Sequence, residues 1–128
     1  MAGLPWSRAR PAASVGRFAA AGMRLALTDI VAEPLTRTAA ELCAQGGDVI
    51  ALATDVANPA QVEALTERIY ASFGAVHLLC NRAGVVVNGA VGALSAADWQ
   101  WIPGVNLIGV VNGIRAFVPR MLALSMCL

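Results

Sequence analysis

The chain has 128 residues, room for one modest domain. A hydrophobic share of 58% against 13% charged residues excludes a disordered chain, and a net charge of +1 gives no electrostatic footing for nucleic acid. All nine basic residues are arginines, which excludes a P-loop lysine, a Schiff-base lysine and a lysine general base.

Residues 1–14, with Pro5 and Pro11, show no period and read as an irregular terminus; one domain is expected over 15–128. No apolar h-region follows the early arginines, so no secretory signal is expected. The stretch Met23 to Asp29 reads as a short apolar strand. Glu33 and Pro34 then open a helix with Leu35, Ala39, Leu42 and Cys43 on one face, closed by Gly46-Gly47. Val49 to Thr54 is the next strand. Asn58 is an N-cap with Pro59 at the first helical position, and Gln61 is placed to complete a capping box. Val62, Leu65, Ile69 and Phe73 line that helix, and Gly74 ends it. Val76 to Cys80 is predicted as a third strand, with His77 structural and Cys80 a small packing residue. Ser95 and Asp98 repeat the cap pattern before an apolar helix from about Trp99 to Leu122, which Pro103-Gly104 should kink or restart.

Apolar strands alternating with helices predict an α/β fold, a partial Rossmann-type doubly wound parallel sheet of three to four strands. The uncharged stretches 83–97 and 99–114 are short for a bilayer span and are broken by Gly, Asn and Pro, so no membrane is expected. Cys43, Cys80 and Cys127 are odd in number and dispersed, which suits a reducing, cytoplasmic setting. The cysteines and the single histidine, His77, have no metal-ligand spacing.

In a doubly wound sheet, ligands bind beyond the carboxyl ends of the strands. Asp29, Asp55 and Asn81 stand there. Asp29, with Ile30 beside it, suits the adenosine ribose and repels a 2′-phosphate, favouring NAD over NADP; otherwise it is a turn aspartate. Asp55, followed by Val56, is able to accept from an adenine amino group, or else is a turn acid before the Asn58 cap.

These pieces together resemble the short-chain dehydrogenase/reductase family over roughly Gly16 to Ala123. Asn81-Arg82-Ala83-Gly84 resembles its Asn-Asn-Ala-Gly motif, Asp55-Val56 its Asp-Val pair, and Asn106 in Val105-Asn106-Leu107 its catalytic asparagine. The resemblance implies strand order 3-2-1-4, a nicotinamide cofactor held by Gly16, Asp29, Ile30, Asp55, Val56, Asn81, Ala83 and Gly84, and hydride transfer to or from a small alcohol or carbonyl. It also implies an interface helix around Val105 to Leu122 and, through it, a homo-oligomer.

Three departures stand out. Only Ala13-Ser14-Val15-Gly16-Arg17 resembles the tail of the family's glycine-rich turn. Arg82 replaces the motif's second asparagine, where it either meets a phosphate or crowds the nicotinamide side. The catalytic serine and Tyr-x-x-x-Lys pair are expected beyond Leu128; Tyr70, the only tyrosine, has Gly74 where its lysine belongs. The expectation is a cofactor-binding portion of an oxidoreductase, inactive alone. The alternative is a non-catalytic module that pairs with a full-length relative through its long helix.

Overall fold

The computed structural model describes residues 11–126, with side chains from Val15 onward. The chain divides into two compact units between Ala53 and Thr54.

The first unit holds a βαβ element. Helix α1, Pro11–Ala20, begins inside the stretch read as irregular. Its opening proline has no N–H to leave unpaired, so the position suits it. Strand β1, Leu25–Asp29, lies parallel to β2, Val49–Ala53, in the register Leu25↔Val49 to Asp29↔Ala53. The Thr28 hydroxyl donates to the Leu52 carbonyl at 2.8 Å and ties the pair side to side. Helix α2, Ala32–Ala44, makes the crossover and buries Leu35, Ala39 and Leu42. Cys43, expected on that face, is exposed. At Gly47 the N–H donates to the Leu42 carbonyl at 2.9 Å, and a Cβ would stand 2.9 Å from the same oxygen, so the turn requires glycine.

The second unit is helical. Helix α3, Pro59–Phe73, starts at Asn58, whose side chain accepts from the Ala60 and Gln61 N–H groups at 3.0 and 3.3 Å. It ends at Gly74, at φ +77°, whose N–H returns to the Tyr70 carbonyl at 2.8 Å. Val62, Leu65, Thr66 and Ile69 form its buried face.

The third strand expected at Val76 to Cys80 is not formed: the segment is extended or irregular, with no ladder. Strands are held by hydrogen bonds to a neighbour. In the expected order the neighbour is the first strand, and among the described residues the sheet contains β1 and β2 alone. The α/β class holds, with a narrower sheet than expected. Without the strand, His77, Leu78 and Cys80 are exposed, so Cys80 is not the packing residue expected and His77 does not stand in a strand.

After a 3₁₀ turn at Val91–Ala93, helix α4 spans Ala96–Pro103. Ser95 closes a capping box: its hydroxyl accepts from the Asp98 N–H, and its own N–H and hydroxyl donate to the Asp98 carboxylate at 2.9 and 2.7 Å. These bonds, the hydroxyl's first, hold Asp98 below the usual carboxylate range. A depressed pKa in the folded state means that the cap's contribution is present above the unfolded Asp value and fades as pH falls through the folded one. Acid titration followed by helical circular dichroism should show this loss, and Ser95→Ala should flatten it.

The kink expected at Pro103 takes the form of a π turn, Gly104–Ile108, in which the Gly109 N–H reaches back five residues to the Gly104 carbonyl. Proline has no N–H for the ladder, and widening the helix by one residue absorbs the gap. Helix α5, Gly109–Met126, continues without a break. The joined run, Ala96–Met126, has 31 residues and a mean hydropathy of 1.5, long and apolar enough by length and composition to cross a membrane. The π turn makes it longer than the two short stretches read from the sequence.

Phe117 of α5 and Val105 are buried in this unit. At the edge of the α3–α5 pair, Arg120 reaches Glu63 at 3.4 Å, bonds Glu67, and lies 5.1 Å from the centre of the Tyr70 ring. Leu107, Ile108, Val111, Ile114 and Leu122 are exposed, so the apolar positions that nearly surround the helix divide into a buried and an open side.

Candidate cofactor-binding site

In the first unit, Asp29 closes β1. Its Oδ1 accepts from the Val31 N–H at 3.0 Å in an Asx-type turn, and Oδ2 has no hydrogen bond among the described residues. Ile30 is 62% exposed, an apolar surface beside that carboxylate. Gly16 is the sixth residue of α1 rather than part of a turn before it. Its N–H belongs to the helix ladder, so the phosphate cradle expected of a glycine-rich turn is not formed around Gly16.

In the second unit, Asp55 follows the β2 end. Its Oδ1 accepts from the Ala57 N–H at 3.0 Å, its carbonyl accepts from the Asn58 N–H at 3.0 Å, and its own N–H donates to Gln61 Oε1 at 2.8 Å. Gln61 therefore reaches past the cap residue to Asp55; the capping box expected between Gln61 and Asn58 is replaced by this longer bond, because Asp55 already serves the Asn58 N–H. The Asn112 amide, 6% exposed, donates to the Val56 carbonyl at 2.9 Å.

Asn81, Arg82, Ala83 and Gly84 are exposed. Asn106, inside the π turn, grips the next residue twice: its Oδ1 accepts from the Val85 N–H at 2.7 Å and its Nδ2 donates to the Val85 carbonyl at 2.9 Å. An amide side chain here copies the two-way pairing of a neighbouring strand, where no strand exists. A Cβ on Gly84 would meet only Asn106 Oδ1, at 3.6 Å, and Gly84 itself is exposed. On α5, a Cβ at Gly113 would stand 2.4 Å from Asn81 Oδ1, and one at Gly109 would stand 2.7 Å from Val56 Cγ2. One helical run, from Asn106 to Gly113, thus touches both segments that carry site residues in this unit.

Gln61, Asn112, Gly109 and Gly113 were not anticipated as part of this arrangement. The two glycines, four apart on a largely apolar helix, are the one signal in the sequence, since helix residues at that spacing share a face.

The sequence profile of the short chain dehydrogenases matches residues 12–126. The chain belongs to that family. It is 37% identical over 110 residues to the 1-deoxy-11-beta-hydroxypentalenate dehydrogenase of Streptomyces avermitilis, covering 83% of this chain and 40% of the relative. It is 32% identical over 101 residues to a CLA biosynthesis dehydrogenase/reductase of Lactiplantibacillus plantarum, covering 79% of this chain and 35% of the relative. The chain therefore spans well under half the length of these curated relatives. Among solved structures, a short-chain dehydrogenase/reductase from Burkholderia phymatum in complex with NAD superposes with a TM-score of 0.84 at 45% identity, over 86% of this chain and 39% of that one. A metagenomic short-chain oxidoreductase in complex with NADP gives 0.82 at 30% identity, over 88% and 52%. Both nicotinamide dinucleotides thus occur in structures this chain is similar to.

Proposed function

We propose that this short-chain dehydrogenase chain is a nicotinamide-dinucleotide-binding portion of an oxidoreductase acting on a small alcohol or carbonyl, in the cytoplasm and without nucleic acid or membrane as partner. The observation that carries the reading is the pair of hydrogen bonds between Asn106 and Val85, which fixes the exposed backbone beside Gly84. Asp29 in the first unit and Asp55 in the second each support it separately, each with its Oδ1 tied to its own turn. Asn81, Ala83, Gly84 and Val56 complete the second unit's set, and Ile30 accompanies Asp29. The cofactor, when bound, supplies the hydride acceptor or donor; the chain's own residues bind and orient it.

Asp29 selects NAD, because a 2′-phosphate brought to a carboxylate meets like charge. Titration of the purified chain with NADH, followed by fluorescence, should saturate, with NADPH binding at least about ten-fold more weakly. Asp29→Ala should narrow that gap; equal binding of both cofactors by the unaltered chain would refute the selection. Turnover of secondary alcohols should be undetectable. The family's proton transfer pairs a tyrosine with a lysine, the chain has no lysine, and the buried Tyr70 hydroxyl has no hydrogen-bond partner among the described residues.

The exposed stripe Leu107, Ile108, Val111, Ile114 and Leu122 supports a second reading, a module that pairs through this helix with itself or with a full-length relative. Co-purification with such a relative, in the absence of NADH binding, would favour it over the first.

A further inference from the structure

Three independent contacts fix the Asp55–Ala57 turn, and none comes from the turn's own chain direction. Gln61 holds the Asp55 N–H at 2.8 Å, Asn112 holds the Val56 carbonyl at 2.9 Å, and the Gly109 backbone closes on the Val56 side chain. The Gln61 bond is unusual in what it forgoes. A glutamine at that position ordinarily completes the cap of its own helix. Here it crosses six residues to the strand-end acid. With the N–H taken by Gln61, Oδ1 by Ala57 and the carbonyl by Asn58, Oδ2 is the polar atom of Asp55 with no hydrogen bond among the described residues.

We propose that Gln61 and Asn112 are positioning residues for the adenine end of the dinucleotide, acting through the Asp55–Ala57 turn. This rests on the cofactor reading above. Neither residue touches the ligand. Gln61 fixes the Asp55 backbone through its N–H, and Asn112 takes up the Val56 carbonyl, so that the Asp55 Oδ2 and the Val56 N–H are left for the adenine. Because Gln61 is exposed, its replacement disturbs no packing, which separates positioning from folding.

The test is calorimetric titration of the full chain and its variants with NADH, ADP-ribose and reduced nicotinamide mononucleotide. Gln61→Ala should weaken NADH and ADP-ribose alike, by about five-fold for one lost hydrogen bond, and leave the mononucleotide unchanged. Gln61→Glu keeps an acceptor for the Asp55 N–H and should restore ADP-ribose binding. Asn112→Ala should show the same split if it folds; the Gln61 pair decides the matter if it does not. Unchanged ADP-ribose binding in Gln61→Ala, or equal weakening of the mononucleotide, overturns the inference while leaving the cofactor reading intact. Failure of the unaltered chain to bind NADH overturns both.

Discussion

Gly109→Ala should destabilise the second unit by about 2 kcal/mol, although the same change at an unobstructed helix position would stabilise it by up to about 1 kcal/mol. The new methyl would lie 2.7 Å from Val56 Cγ2, 3.3 Å from Val56 Cβ and 3.6 Å from its carbonyl carbon. Valine has no distant flexible end to swing aside, because both of its methyls branch at Cβ. Relief therefore has to come from the backbone, either of the 55–57 turn or of the start of α5. Both are tied: the turn by Gln61 and Asn112, the helix by the π turn that precedes it. Gly113→Ala offers the comparison. Its nearest neighbour is the Asn81 amide oxygen at 2.4 Å, the far end of an exposed side chain that is free to rotate. That variant should keep most of its stability and instead displace Asn81. Gly16→Ala, with nothing within 4 Å, should be neutral or stabilising. Chemical denaturation of the three variants checks the ranking. A Gly109→Ala protein as stable as the parent would show that the approach of α5 to Val56 is loose.

Much of the local structure is written in local signals. Asn58-Pro59 and Ser95 with Asp98 start helices where a cap and its acceptor geometry require, and Gly46-Gly47 and Gly74 stop them. The parallel pair β1 and β2 follows from two apolar runs separated by one helix of crossover length. What failed depends on partners distant in sequence. Val76 to Cys80 has the composition of a buried strand, but composition supplies no neighbour, and the segment becomes a strand only beside another ladder. Cys43, His77 and Cys80 are exposed for a related reason: an apolar run in the sequence does not by itself supply a covered face. The places of Asp29 and Asp55 at and just past the ends of β1 and β2 are legible in the sequence, because an acid directly after an apolar run marks where a strand stops. The residues that hold the Asp55–Ala57 turn, Gln61 and Asn112, are not. Each looks like an ordinary helix residue until the turn it supports is in place, and the bond from Asn112 spans 56 positions.

Asn106→Ala should release the Gly84–Val85 backbone and weaken NADH binding by about ten-fold, with a loss of stability of only about 1–2 kcal/mol. The stability cost is modest because both Asn106 bonds are near solvent, and water replaces them in part. The binding cost is larger because an ordered backbone segment is exchanged for a mobile one, and the ligand must then supply the ordering. Asn106→Asp separates the two bonds. Its carboxylate still accepts from the Val85 N–H, but it faces the Val85 carbonyl with a second acceptor, and two acceptors repel. Protonation converts that oxygen into a donor and restores the missing bond. The folded state of this variant therefore favours the protonated acid and raises its pKa, so the contribution is present at low pH and lost as pH rises through the folded value. Amide exchange at Val85 should be slow in the parent and fast in Asn106→Ala. In Asn106→Asp it should slow again on acidification, after correction for intrinsic exchange. If Val85 in Asn106→Ala exchanges no faster than in the parent, the asparagine of the π turn does not hold the exposed backbone beside Gly84, and the cofactor reading loses the contact that carries it.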